Sequence, residues 1–111
     1  MSKLRLPTLT AYAACSLFAA THLSAKAQTV RYQDVEAVAA SDVALYICAQ
    51  AYPAGLPQLQ AKLTQNLQNL SAPVPTLRAA KTYAGLYNSQ LNTILATSKK
   101  EREQFCKAAA K

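Results

Sequence analysis

Beyond residue 28 the chain carries four prolines in two close pairs, Pro53 with Pro57 and Pro73 with Pro75. Proline removes a backbone donor and clashes with the preceding turn, so neither pair fits inside a helix or a central strand. The pairs therefore cut the chain into blocks, and the apolar residues of every block recur at steps of three and four. No block alternates in the way a half-buried strand requires. The pattern predicts an all-α fold, a small up-and-down bundle of three or four helices.

In the first block Val30, Val35, Val38 and Ala39 form one apolar stripe, and Leu45, Cys48, Ala49 and Tyr52 another. Ser41-Asp42 between them has two readings, an N-cap opening a fresh helix or a turn inside one longer helix. Helix is expected from Tyr32 to Ala51, with Tyr52 a boundary because Pro53 follows it. Next, Pro57 suits a first helical turn, and Leu56, Leu59, Leu63, Leu67 and Leu70 make one leucine face. SAPVPT, residues 71–76, reads as a stiff connector. A third helix then carries Leu77, Ala80, Ala84, Tyr87, Leu91 and Ile94, with Gly85 as a point where another helix could approach closely. Ser98 and Glu101 match a capping box, opening a last helix that turns Phe105, Cys106 and Ala109 inward.

The first 27 residues read differently. Lys3 and Arg5 precede an apolar run from Leu6 to Leu23, and Ala25-Lys26-Ala27 supplies small residues where a signal peptidase cleaves. The expectation is a cleaved leader, residues 1–27, followed by a single helical domain, residues 28–111. An uncleaved anchor is the alternative, and it would be the only contact with a membrane. Cys15 follows small residues, as at a lipoprotein cleavage site, but the apolar segment after it is no polar tether, and it reads as an incidental leader residue. Cleavage removes Lys3, Arg5 and Lys26 from the 12 basic residues, leaving 9 against 5 acidic, a net charge of +4. The protein is expected to be exported, periplasmic in a Gram-negative cell and secreted otherwise.

Export decides how the cysteines are read. Cys48 could be a nucleophile, a metal ligand, a lipid-attachment point or half of a disulfide. Cleavage leaves 84 residues with two cysteines, Cys48 and Cys106, and an even count in a small exported chain reads as a disulfide. That bond would staple the first helix to the last.

The same arithmetic excludes chemistry. His22 is the only histidine and leaves with the leader. Without it there is no Cys-His pair, no Ser-His-Asp triad and no zinc-ligand cluster. Gly55 and Gly85 are the only glycines, too few and too far apart for a phosphate-binding loop. Asp34, Glu36, Asp42, Glu101 and Glu103 read as solvated helix surface. No catalytic residue, cofactor or metal is expected. Lys99-Lys100-Glu101-Arg102 is an interrupted basic run that reads as a solvated helix start, and nucleic acid is not an expected partner.

The tyrosines remain. Tyr87 continues the third apolar stripe and reads as core. Tyr83 falls off that stripe beside Lys81, so Tyr83, Lys81 and Arg78 are the candidates for partner binding, in keeping with the enrichment of tyrosine and arginine where proteins meet. Asn69-Leu70-Ser71 is a glycosylation sequon on what reads as the polar face of the second helix. The expected function is non-catalytic binding of another protein in the cell envelope, inhibitor- or immunity-like. A periplasmic chaperone or assembly factor is the runner-up, and a membrane-associated protein held by its anchor the third.

Overall fold

The computed structural model describes residues 29–111, so the expected leader, its cleavage site and Cys15 lie outside the described residues. Five α-helices follow one another: α1 (Tyr32–Ala51), a 3-10 turn (Pro53–Gly55), α2 (Leu56–Asn66), α3 (Val74–Arg78), α4 (Tyr83–Leu95) and α5 (Lys99–Ala109). There is no strand among the described residues. The chain is all-α.

Helix α1 is the shared partner, because α2, α3, α4 and α5 each pack against it. Two apolar clusters lie along it. Val35 and Val38 meet Leu77 of α3, and Val43, Ala44, Ile47 and Cys48 meet Leu59 of α2 and Cys106 of α5. A helix covered from several sides buries more than one stripe. This corrects the expected face: Val43, Ala44 and Ile47 are buried and Ala49 is exposed.

Helix α1 also runs unbroken through Ser41-Asp42, so that pair is no internal cap. The Asp42 carboxylate is held by Arg78 and Tyr83 instead of by backbone N–H groups of α1. Near the start of the helix, buried Asp34 accepts from the Ser71 N–H at 2.7 Å and from Arg31 Nε at 3.1 Å. The Arg31 N–H in turn donates to Ser71 Oγ. These bonds satisfy a carboxylate that burial would otherwise penalise, and they pin the loop after α2 to α1.

The second and third stripes are each interrupted. Helix α2 stops at Asn66, and Asn69 has φ 61°, a left-handed conformation that asparagine tolerates better than most residues. The sequon thus lies in a turn, not on a helix face. Leu67 and Leu70 still reach the Val35–Val38–Leu77 cluster, so their spacing signals burial without helix. Pro73 caps α3, and Val74 and Pro75 form its first turn, where a missing N–H costs nothing. The expected third helix is divided into α3 and α4 by the turn at residues 79–82.

At the far end, Cys48 and Cys106 form the expected disulfide, with Cα atoms 5.5 Å apart, and it joins α1 to α5. Ser98 Oγ accepts from the Glu101 N–H and Glu101 returns a bond to the Ser98 N–H, completing the capping box. Phe105 does not turn inward with Cys106; it is 42% exposed. Successive residues on a helix point about 100° apart, and the half-cystine takes the inward position.

The two glycines have opposite roles. A Cβ on Gly55 would collide with the Tyr52 ring, which packs against the core cluster with the Lys107 ammonium 5.6 Å from its centroid. Nothing lies within 4 Å of a Cβ on Gly85, so the expected close approach there is absent. Gly55→Ala should destabilise the protein by about 1–3 kcal/mol through overpacking. Gly85→Ala, inside α4, should stabilise it by about 1 kcal/mol. Urea unfolding of the two variants checks the opposite signs, and equal shifts would refute the assignment.

Candidate functional site

Three helices bring one cluster together. Asp42 comes from the middle of α1, Arg78 from the last turn of α3 and Tyr83 from the first turn of α4. Arg78 donates from Nε and Nη2 to the two oxygens of Asp42, each at 2.9 Å. The Tyr83 hydroxyl donates to Asp42 Oδ2 at 2.5 Å. This two-pronged arginine–carboxylate fork fixes orientation as well as charge. The cluster forms one wall of an open cleft of about 490 Å³, completed by Ala84, Tyr87 and Asn88. The Tyr83 and Tyr87 rings lie 5.9 Å apart at 37°.

Of the residues singled out in the sequence, Arg78 and Tyr83 meet in this cleft. Lys81 is exposed in the turn between α3 and α4 and does not line it. Tyr83 is half-buried where an open surface position was expected, because its hydroxyl reaches back to α1. Tyr87 divides its surface between the core cluster and the cleft. Asp42, the residue that organises the site, reads from sequence as surface or cap. The signal available was its position: a lone carboxylate inside AASDVAL has apolar neighbours on both sides and needs a partner.

The electrostatics follow from these contacts. Burial works against ionisation of Asp42, but hydrogen bonds from Arg78 and Tyr83 and the arginine charge outweigh it and hold the carboxyl below the ordinary 3.8. Burial, then the bond to Asp42 and its negative charge, push the Tyr83 phenol up to about 12. Near neutral pH Asp42 stays ionised and Tyr83 stays protonated, so neither serves as a proton shuttle. Among the described residues no group of His, Cys, Asp or Glu side chains could hold a metal ion.

Asp34 is lowered as well, by hydrogen bonds from Ser71 and then by Arg31. Both aspartates are more acidic folded than unfolded, so the native state binds fewer protons and stability falls with falling pH. Their contribution is present above about pH 5 and is lost as pH drops through 3.8 and the folded values beneath it. Melting curves from pH 7 to pH 2.5 should show this loss, and Asp42→Asn should flatten it. An Asp42→Asn curve parallel to that of the unmodified protein would show that the fork contributes nothing to acid sensitivity.

Compared with protein-family models, with curated proteins and with solved structures, the chain matches none. The functional reading therefore rests on the chain's own chemistry.

Proposed function

We propose that this is a small exported, non-catalytic helical protein that binds another protein in the cell envelope, in the manner of an inhibitor or immunity protein. In this reading the helices form an up-and-down bundle, stapled by the disulfide, that serves as a rigid frame for the cleft. The observation that carries the proposal is the Asp42 fork, which holds Arg78 and Tyr83 in place at the mouth of an open cleft. Arginine and tyrosine dominate binding energy at interfaces, and side chains already ordered lose little freedom when a partner arrives. Lys81 is exposed in the turn that joins Arg78 to Tyr83. The disulfide is in keeping with an oxidising compartment.

A second reading, a chaperone or assembly factor, is favoured by a separate groove. Small residues of α1, Ala37 and Ala40, form its floor between Leu63 and Leu67 of the α2 side and Phe105 of α5. Exposed apolar surface of this kind suits many loosely held clients.

Site-specific photocrosslinking in the producing cells tests both. A benzophenone side chain at Ala84 or Asn88 in the cleft should trap one adduct of defined mass, and one at Asn66 in the groove should trap none. Tyr83→Ala should abolish the adduct in protein whose disulfide is intact. A ladder of adducts from the groove, with none from the cleft, would refute the inhibitor reading in favour of the chaperone. The intact mass of the accumulated protein reads the leader at the same time: a chain starting at Gln28 is expected, and one retaining Met1, or starting at a lipid-modified Cys15, would refute cleavage at that site.

A further inference from the structure

We infer that the corner where α1 meets the α4–α5 turn is a docking surface for an anionic lipid headgroup layer. Two of the large apolar residues left in solvent, Tyr46 at 50% exposure and Leu95 at 49%, line one depression there with Gln50, Lys99 and Arg102. Lys100 is exposed beside it.

Positive charge is in excess at this corner, with Lys99, Lys100 and Arg102 set against Glu101. The three ion pairs among the described residues engage Arg31, Arg78 and Lys107, and none engages Lys99, Lys100 or Arg102. Glu101, the acidic residue inside the run, turns its carboxylate back onto the Ser98 N–H. Three positive charges thus lie within four residues, in the first turns of α5, at the positive end of that helix's dipole. Cations are destabilising there. Arg102 has a local function, since its Nη1 donates to the carbonyls of Leu95, the last residue of α4, and of Thr97 beyond it. Lys99 and Lys100 have no such bond, and a position that breaks a local stability rule without local compensation points to a role outside the fold.

The apolar neighbours choose the partner. A soluble polyanion would engage the lysines and leave Leu95 and Tyr46 in water. A lipid surface uses all four: leucine enters the acyl boundary, tyrosine rests at headgroup level, and the lysine stems extend along apolar surface to reach phosphate. No helix among the described residues is long and apolar enough to cross a membrane, so the contact is interfacial. It shares no lining residue with the Asp42 cleft.

The chain contains no tryptophan, so Tyr46→Trp places a single reporter in the patch. The protein is taken as its cells accumulate it and titrated with vesicles of mixed phosphatidylglycerol and phosphatidylcholine. The indole emission should shift to the blue, less so in high salt, and should not shift with phosphatidylcholine alone. Each lysine near an anionic surface accounts for about fivefold in partitioning, so Lys99→Gln with Lys100→Gln should lower it about 30-fold. Leu95→Ser should lower it as well. Co-sedimentation of the protein with Tyr46 in place, compared with the double lysine variant, gives the same answer without the tryptophan. Far-UV circular dichroism verifies that each variant is folded. The inference is overturned by vesicle binding that leaves the indole emission unshifted, by equal shifts with neutral vesicles, by equal shifts with heparin, or by partitioning indifferent to the lysines.

Discussion

Reduction of the Cys48–Cys106 bond lowers the melting temperature by about 15–30 °C. The two half-cystines are 58 residues apart, and closing a loop of that length removes about 4 kcal/mol of chain entropy from the unfolded state. In a domain of this size each kcal/mol moves the midpoint by about 4–8 °C. Both half-cystines are buried in the cluster that α1 shares with α2 and α5, so the reduced side chains still fill the core and the loss falls mainly on the unfolded ensemble. Thermal melts followed by circular dichroism, with and without dithiothreitol, measure the effect, and a shift under about 3 °C would show that the helices hold without the staple. The result bears on function. A protein that needs its disulfide to stay folded works only where the bond survives, and the expected compartment is an oxidising one.

Leu77→Ala costs about 3 kcal/mol and loosens the cleft as well as the core. Leu77 is fully buried against Val35 and Val38, and it is the only buried residue of α3. Truncating a buried leucine removes transfer energy and leaves a cavity, about 2–5 kcal/mol together. A five-residue helix has little stability of its own, so it stays in place through this contact. Once it loosens, Arg78 leaves Asp42, and Tyr83 loses the neighbour that orients its acceptor. Amide exchange should therefore quicken across residues 74–83 more than across α5, and Thr76→Ala, on the exposed side of the same helix, should change stability by less than about 0.5 kcal/mol. Uniform quickening throughout the chain would mean that α3 is no separate unit.

Cys106 and Asp42 show what kind of information a sequence holds. Cys106 is legible because its chemistry permits one strong outcome in a small chain expected to be exported, with one other cysteine beyond residue 28. Asp42 is not, because a carboxylate on a helix has many partners open to it, and which one is in reach depends on how α3 and α4 return. Tyr83 was legible as an aromatic off the apolar stripe. Its bond to Asp42 was not, since the two are 41 residues apart in sequence. Leu67 and Leu70 mark the difference between pattern and element. Their spacing continues the leucine face of α2 and correctly announces burial, yet the backbone has already left the helix.

The sequence by itself determined the all-α class, the proline-set end of α1 and start of α2, the capping box at Ser98 and the pairing of Cys48 with Cys106. Each rests on short-range sterics, local hydrogen bonding or the arithmetic of two thiols. The tertiary structure alone decided that α1 runs through Ser41-Asp42, that the third stripe divides into α3 and α4, and that Phe105 faces water while Val43 does not. No residue in the turn at 79–82 forbids a helix. The chain breaks there because α3 and α4 each bury apolar side chains on α1, and burial summed over a helix face outweighs the few tenths of a kcal/mol by which local preference favours continuing the turn.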